Sequence, residues 1–334
     1  MKMDPGTLGL RSIRRAKVRK LGLGEAHVNY LASLDGRKFV VRVNIDKSEW
    51  HKTTREYNSL KAVESLGIAP KVFHLESSAR VAGGPFTVIE YVDGSSLDRI
   101  KRKNAKIVKQ LARAIARLHN TDLSRIAKKI TRVPPSRALI LKSIRREINY
   151  IKRKTGIYFG WSVEFQKMFL DSFRRLQGLK PVPRRVCVLA HGDIAPQNVI
   201  FSNGKLMLID WEDLGLMDPA LEIAIMIDSF DLDAHHSKLF LDEYEILRKD
   251  PQLRRRISFF WPLHLFETFC WAIMHVYEIG EREMHEDFLK GQRLKNHIAY
   301  ARKMFLRCRE EGIIGRGMIW RVSGIFPREY LVGG

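Results

Sequence analysis

The sequence has few of the residues that form disulfide frameworks or structural metal sites. Its 334 residues include three cysteines, Cys187, Cys270 and Cys308, which lie far apart and form no closely spaced pair of the kind that binds zinc. The histidines likewise show no metal-ligand spacing. We therefore expect neither structural disulfides nor a zinc site, and a reducing cytoplasm is the compartment that fits this cysteine usage best.

Long uninterrupted apolar runs are scarce as well. The N-terminal stretch from Met1 to Lys20 is basic and has no apolar core, so it lacks the pattern of a secretory signal peptide. The most apolar stretch, Ile257 to Tyr277, is interrupted by four residues: Pro262, His264, Glu267 and His275. We expect a buried helix there rather than a membrane span, because a span needs about 20 apolar residues with few or no such interruptions.

Acidic residues are nearly missing from one part of the chain. The basic segment, Arg99 to Arg185, contains 25 lysine and arginine residues, and its acidic residues are Asp122, Glu147, Glu164 and Asp171. Nearly the whole net charge of +22 therefore lies in this segment. It is either a solvated basic face or a surface for an anionic partner, such as RNA, phospholipid or a phosphorylated substrate. Aromatic residues lie among the cations: Tyr150, Tyr158, Phe159 and Trp161.

One stretch carries a recognisable chemical pattern, LAHGDIAPQNVIFSNGKLMLIDWED from Leu189 to Asp213. Asn198 follows Asp193 by five residues, and Asp210 follows it by seventeen. Apolar residues on both sides of Ser202-Asn203-Gly204 predict a short β-hairpin, which would bring Asn198 and Asp210 side by side. Two oxygen ligands for a hard cation and a nearby carboxylate base are the groups that phosphoryl transfer requires.

This stretch resembles the catalytic region of the aminoglycoside phosphotransferase and choline kinase family, whose members have the two-lobed protein-kinase fold. In that family the catalytic loop reads His-Gly/Asn-Asp-x4-Asn, and a following strand ends in Ile-Asp-Trp/Phe-Glu. The matching residues here are His191, Gly192, Asp193, Asn198, Ile209, Asp210, Trp211 and Glu212. The resemblance implies an α+β fold with a small antiparallel β-sheet lobe that has one main helix, and a larger, mostly helical lobe.

The first lobe is expected at residues 1–92 and is implied to bind ATP. Residues 13–43 are predicted to form three strands, with Gly22 and Gly24 in a turn whose backbone N–H groups can approach phosphate oxygens. Arg42, on the third strand, stands where the family usually has lysine, although choline-kinase-like members use arginine. Its implied role is to hold the α- and β-phosphates while pairing with Glu56 on the predicted helix 49–66.

Two further assignments in this lobe depend on position. Lys38 is a rival to Arg42, although it lies at the start of the strand. A predicted strand over residues 85–93 resembles the hinge of the family, where the backbone groups of Glu90 and Val92 would face adenine.

The second lobe is expected at residues 93–334, with a basic helical insertion at about 121–185 and a predicted helix at 105–119 whose His119 is structural. In the sequence Asp218-Pro-Ala-Leu-Glu222, a glutamate replaces the family's usual aspartate, which braces the catalytic loop. Predicted helices from residue 223 to residue 309 have breaks near Pro251 and Gly280. These helices carry four residues that belong either to the core or to an acceptor site: Trp261, Glu267, Trp271 and Glu278.

The expected function is an ATP-dependent kinase that phosphorylates a hydroxyl group of a small molecule. Only seven residues separate Asp210 from Asp218, which leaves no space for the long activation segment of a protein kinase. The resemblance implies that Mg²⁺ is held by Asn198 and Asp210 and that Asp193 is the base. The alternative is a kinase-fold protein that binds RNA or another polyanion through the basic segment, with weak or no small-molecule kinase activity.

Overall fold

A computed structural model describes residues 16–23, 27–78, 82–99, 104–125, 137–158, 163–180, 186–283 and 292–320. The chain divides into two compact units. Unit 1 comprises Met1–Pro134, Cys187–Glu222 and Met226–Asp250, and unit 2 comprises Pro135–Val186, Ile223–Ile225 and Pro251–Gly334. The lobe boundary at residue 92 stays a prediction.

The N-terminal part of unit 1 is a five-stranded antiparallel sheet with the order β1-β2-β3-β5-β4. Its strands are β1 (Lys17–Leu23), β2 (His27–Leu34), β3 (Arg37–Asn44), β4 (Val72–Glu76) and β5 (Phe86–Glu90). The β2–β3 turn has left-handed backbone at Asp35 and Gly36, with φ of 48° and 75°, which suits a tight hairpin. Gly22 lies in β1 rather than in the predicted turn, and Gly24 lies outside the described residues.

Strand β3 alternates between two faces, as a strand with one buried face must. Phe39, Val41 and Val43 are buried in a core cluster with Phe86 and Val88 of β5. Arg42 therefore points to the opposite face of the sheet from this cluster. The alternation fixes the direction of the Arg42 side chain.

One main helix follows the first three strands. Helix α1 (Trp50–Val63) continues as a 3₁₀ turn over Glu64–Leu66 and ends at Gly67, whose φ of 64° is left-handed. Its buried residues recur at helical spacing and include Thr53, Glu56, Leu60 and Val63. Glu56 is thus on the buried face of α1.

The described residues of the remainder of unit 1 include the predicted hairpin and three α-helices, although residues 223–225 inside one of these helices belong to unit 2. The hairpin is β8 (Val199–Ser202) and β9 (Lys205–Leu208), preceded in the chain by β6 (Ser95–Ser96) and β7 (Val188–Ala190) and followed by β10 (Gly215–Met217). Strand β6 pairs with β8, and β7 pairs with β10. Asn203 and Gly204 form the hairpin turn with φ of 48° and 79°. Helix α2 (Ala105–His119) has the predicted bounds, while α5 (Pro219–Ser229) and α6 (Ala234–Leu247) follow the hairpin.

Unit 2 is helical in its described residues. Its helices are α3 (Arg137–Tyr158), α4 (Val163–Gln177), α7 (Leu253–Glu283) and α8 (Gln292–Glu310), and α7 packs against both α3 and α8. The break predicted near Gly280 is wrong, because α7 continues to Glu283. One glycine inside a long packed helix costs only about 1 kcal/mol, which packing offsets. The antiparallel N-terminal sheet and the mostly helical remainder are as predicted.

Within α7, Leu253–Ile279 is long and apolar enough to cross a membrane by length and composition alone. In its most apolar part, 56% is buried inside the structure. A mostly buried core helix passes the same test, and α7 carries Pro262 in its interior. Helix α7 is therefore only weak evidence for a membrane-spanning segment.

Candidate active site

Arg42 lies at the centre of a cluster of carboxylates in unit 1. Its Nε is 3.2 Å from Glu56 Oε2, and its Nη2 donates a hydrogen bond of 2.9 Å to Asp210 Oδ1. The same Nη2 donates a longer hydrogen bond of 3.4 Å to Glu212 Oε2. Strand β3, helix α1 and the segment after β9 therefore meet at one guanidinium group. Lys38, the rival cation, lies elsewhere, with its Nζ 5.4 Å from the centre of the Tyr91 ring.

Burial and charge act in opposite directions in this cluster. Burial alone would lower the pKa of Arg42, but Glu56, Asp210 and Glu212 outweigh it and raise that pKa. Burial raises the pKa of Glu56 to about 7, because desolvation of the carboxylate outweighs the attraction of Arg42. Arg42 therefore stays positively charged across the physiological pH range.

The catalytic loop and the hairpin bring the three predicted oxygen-bearing residues together. Asn198 Nδ2 donates hydrogen bonds to Asp193 Oδ2 at 2.8 Å and to the Asp193 carbonyl at 3.0 Å. The backbone N–H of Ile209 donates to the carbonyl of Asn198 at 2.9 Å, which closes the hairpin and places Asp210 next to Asn198 in the fold. Both contacts to Asp193 use the amide nitrogen, so Oδ1 is the atom of Asn198 that could bind a cation.

Asp193 lies close enough to other carboxylates to be affected by their charge. Burial raises the pKa of Asp193, and the nearby Asp210 and Asp213 raise it further. Asp210 itself has a left-handed backbone, with φ of 67°, which is uncommon for a residue other than glycine and often marks a functional position. A cation held between Asn198 and Asp210 would relieve this repulsion.

The oxygen donors at this place suit a magnesium ion that also binds phosphate and water, rather than a metal ion held by protein ligands alone. Among the described residues, no group of three or more His, Cys, Asp or Glu side chains is arranged to hold a metal ion. Mg²⁺ commonly takes one or two protein oxygens and completes its octahedron with phosphate oxygens and water. Asn198 and Asp210 fit that pattern.

Two buried residues, Glu222 and His119, support the loop that contains Gly192 and Asp193. Gly192 donates its backbone N–H to Glu222 Oε1 at 2.9 Å, while Glu222 Oε2 is 2.6 Å from His119 Nε2. His119 Nδ1 is in turn 2.8 Å from the hydroxyl of Tyr244. Burial alone would raise the pKa of Glu222, but its hydrogen bond with His119 and the charge of His119 lower it. Glu222 thus contacts the loop directly despite being longer than the family's aspartate.

His191 braces the loop from the hairpin side. Its Nδ1 accepts a hydrogen bond of 3.3 Å from the backbone N–H of Asp193, so Nε2 is the nitrogen that donates to the Ile209 carbonyl at 3.0 Å. Its ring lies 4.5 Å from that of the buried Trp211. Burial lowers the pKa of His191, which keeps the ring neutral. These contacts are of the kind that position a loop.

Sequence reasoning missed two residues of the cluster, His27 and Lys52. His27 Nδ1 is 3.3 Å from Arg42 Nη2. Lys52 Nζ is 2.8 Å from Glu49 Oε2 and 3.4 Å from Glu212 Oε1. The spacing of Lys52, one helical turn before Glu56, could have suggested it. His27 could only be found from the β2–β3 register, in which Asn29, two residues further along β2, lies opposite Arg42.

Comparison with known proteins places this geometry in a family. A model of the phosphotransferase enzyme family matches residues 17–260, which is most of the chain. The chain belongs to the phosphotransferase enzyme family.

Individual members of the phosphotransferase enzyme family are distant relatives in sequence. Protein LicA of Haemophilus influenzae is 23% identical over 225 residues, covering 66% of this chain and 60% of LicA, so the chain spans about three-fifths of that relative. The choline kinase LicA from Streptococcus pneumoniae has a TM-score of 0.57 and 20% identity, covering 87% of this chain and 94% of that one. The streptomycin–ATP–APH(2″)-IIa complex has a TM-score of 0.63 and 16% identity, covering 88% and 95%.

Of the two residues predicted to face adenine, Glu90 is the last residue of β5 and Val92 follows the strand. The backbone N–H of Glu90 already donates to the Lys71 carbonyl at 2.8 Å, and the Glu90 carboxylate accepts from the Lys71 N–H at 3.1 Å. Its carbonyl is therefore the group to consider at adenine. Val92 is half-buried in the segment after β5, and Gly22 is paired with Asn29 across β1 and β2.

Proposed function

We propose that this protein transfers the γ-phosphoryl group of ATP to a hydroxyl group of a small molecule. The observation that carries the proposal is that Arg42, Asp193, Asn198 and Asp210 converge in unit 1, where Arg42 also contacts Glu56. Family membership supports the reaction class, and the related solved structures include a choline kinase and a complex that contains streptomycin and ATP.

Each residue has a role that follows from its contacts. Asn198 Oδ1 and Asp210 would hold Mg²⁺, which supplies neutralising charge at the β- and γ-phosphates when bound. Arg42 would bind the α- and β-phosphates, and Glu56 fixes its orientation through the 3.2 Å contact at Nε. Asp193 is oriented by Asn198 and would accept the proton of the attacking hydroxyl.

The nucleotide would be bound mainly through backbone groups in the N-terminal region. We propose the backbone of Gly22 and Gly24 for the phosphates and that of Glu90 and Val92 for adenine. The corresponding lobes are residues 1–92 and 93–334, with the basic insertion at about 121–185. A reducing cytoplasm is part of the same proposal and agrees with three free cysteines.

The acceptor is proposed to be a small molecule because the elements after Asp210 succeed one another closely. A 3₁₀ turn over Trp211–Asp213, strand β10 and helix α5 come directly one after the other, with Asp218 capping α5. Residues 210–229 are all described, and no segment among them is long enough to cradle a peptide in the manner of a protein kinase.

A second candidate function is binding of a polyanion such as RNA through the basic segment. The observation that favours it is that exposed cations recur along α3, namely Lys142, Arg145, Arg146 and Arg153. If this surface binds RNA, the affinity should fall steeply as salt concentration rises, because bound phosphates release counterions. A flat salt response, or no binding at low salt, would remove this candidate.

The proposed function is tested by a transfer assay with γ-labelled ATP. The full chain is incubated with pools of hydroxyl-bearing metabolites, with Mg²⁺ or with a chelator, and labelled products are separated from ATP and phosphate. We expect a labelled organic product that requires Mg²⁺. A labelled product that forms equally well in chelator would contradict the assigned metal ligands, and labelling of RNA alone would contradict the small-molecule acceptor.

A further inference from the structure

His27 carries a buried hydrogen-bond donor without a partner among the described residues. The residue begins β2 and is only 6% exposed. Its Nδ1 lies 3.3 Å from Arg42 Nη2, and a guanidinium can only donate, so Nδ1 is the bare acceptor and Nε2 carries the proton. That Nε2 is buried and has no hydrogen-bond partner in the part of the chain that the structure describes. A buried N–H without an acceptor is rare and destabilising, so each case calls for a physical reason.

The nearest charged acceptor does not satisfy this donor. Glu212 Oε2 is 3.9 Å from His27 Nε2, which is beyond hydrogen-bonding distance. Glu212 is already engaged by Arg42 and Lys52 through its two carboxylate oxygens. His27 Nε2 therefore lies among the residues around Arg42 but makes no hydrogen bond to any of them.

The surroundings of His27 indicate which kind of ligand its donor would bind. The imidazole feels the charges of Arg42, Lys52, Asp210 and Glu49 and lies among the residues assigned above to phosphate and metal binding. An incoming ligand at this place must offer an oxygen acceptor to Nε2–H. It must also be negatively charged to compete with the carboxylates for Arg42. A nucleotide phosphate oxygen meets both conditions.

We propose that His27 is a phosphate-binding residue: its Nε2–H donates a hydrogen bond to a phosphate oxygen of the nucleotide while its Nδ1 holds Arg42. The inference rests on the proposed function, since it takes ATP as the ligand. It adds a side-chain contact to a nucleotide site otherwise made of Arg42 and backbone groups. The competing explanation is that His27 only supports Arg42 and that its Nε2–H turns toward Glu212.

Two substitutions separate the donor at Nε2 from the acceptor at Nδ1. His27→Asn keeps an oxygen near the position of Nδ1 but has no donor at Nε2. His27→Gln places an amide N–H near Nε2 but has no acceptor at the δ position. His74→Asn is the matched control, because His74 lies in β4 of the same sheet, outside the Arg42 cluster.

The measurement is calorimetric binding of ATP, ADP and adenosine to the full chain and to the three variants, with thermal melting to check folding. We expect His27→Asn to weaken ATP or ADP binding about tenfold, the loss of one hydrogen bond to a charged group, and to leave adenosine binding unchanged. His27→Gln should recover most of that affinity, and His74→Asn should bind as the wild type does.

The outcomes distinguish this inference from the function on which it rests. If the wild type binds ATP and His27→Asn binds it equally well, the phosphate contact is overturned and the proposed function stands. Equal losses for ATP and adenosine, or no recovery in His27→Gln, would show that His27 only supports the fold. If the wild type binds no nucleotide, the proposed function fails, and this inference fails with it.

Discussion

Arg42 Nη2 donates a hydrogen bond of 2.9 Å to Asp210 Oδ1, so the cation assigned to the nucleotide phosphates is held by a carboxylate assigned to magnesium. The two residues are 168 positions apart in the chain. Their contact links the sheet to the hairpin in unit 1. On the proposed function, the phosphates of a bound nucleotide would compete with Asp210 for Arg42.

The first prediction concerns the arginine that replaces the family's usual lysine. Arg42→Lys should raise the KM for ATP about tenfold and lower kcat, because a lysine ammonium can contact Glu56 but cannot also extend a planar fork to Asp210 and Glu212. Steady-state kinetics with varied ATP tests this. The control is Lys38→Ala, which removes the rival cation and should leave both constants within about twofold of the wild type. An Arg42→Lys enzyme as active as the wild type would show that the extra contacts are dispensable.

The second prediction concerns the brace of the catalytic loop. Glu222→Asp restores the family's usual residue, yet we expect it to lower the free energy of unfolding by about 1–3 kcal/mol. A side chain shorter by one methylene group cannot contact both the Gly192 N–H and His119 from the present position of α5. Chemical denaturation and kcat measure the effect. A variant with unchanged stability and rate would mean that α5 shifts to accommodate aspartate.

The third prediction concerns pH and unit 2. Burial raises the pKa of Glu147 and of Glu267 to about 7, and the charge of Glu147 adds to the shift at Glu267. Because these folded-state values exceed the unfolded ones, both carboxyl groups stabilise the fold at low pH. That contribution is lost as pH rises from about 4.5 through about 7. Each group contributes about 2.5 kcal/mol to this change, so the free energy of unfolding should fall by roughly 5 kcal/mol from pH 5 to pH 8 through these two groups.

The test of the pH prediction is the double variant Glu147→Gln, Glu267→Gln, whose stability should depend less on pH over that range. Glu278→Gln, on the same helix as Glu267, is the control, since Glu278 lies in an ion pair 3.3 Å from His275. Buried Glu56 titrates in the same range in all these proteins, so only differences between them are informative. Parallel curves for the double variant and the wild type would contradict the prediction.

The local features of the fold were predictable because each has a short-range cause. Asn203-Gly204 specifies a tight turn between two apolar strands, and the hairpin results. Helical spacing and the stop at Gly67 define α1. The period of two along β3 places Arg42 on the face opposite Phe39 and Val41. The resemblance to the aminoglycoside phosphotransferase and choline kinase family predicted how these elements combine into one fold.

The unpredicted features depend on contacts between distant parts of the chain. His27 joins the Arg42 cluster through strand register, which no local pattern specifies. The buried Glu147 interacts with Glu267 only because α3 packs against α7. Helix α7 also continues through Gly280, where a glycine predicted a break, because one glycine costs too little to end a long helix. The adenine contacts proposed for Glu90 and Val92 would be made by backbone groups, which leave no sequence signature.

The central claim is that Asp193 is the base of a phosphoryl transfer whose nucleotide is held by other residues. In Asp193→Asn the amide can still accept the hydrogen bond from Asn198 but cannot take a proton from the acceptor. The control is Asp213→Asn, which removes a neighbouring carboxylate that has no assigned chemical role.

The most direct measurement compares Mg-ATP affinity and single-turnover transfer from γ-labelled ATP in these two variants and the wild type. The account predicts that Asp193→Asn binds Mg-ATP within a fewfold of the wild type while transfer falls by about 10²- to 10⁴-fold. Asp213→Asn should retain most of the transfer rate. Transfer by Asp193→Asn at the wild-type rate would contradict the account.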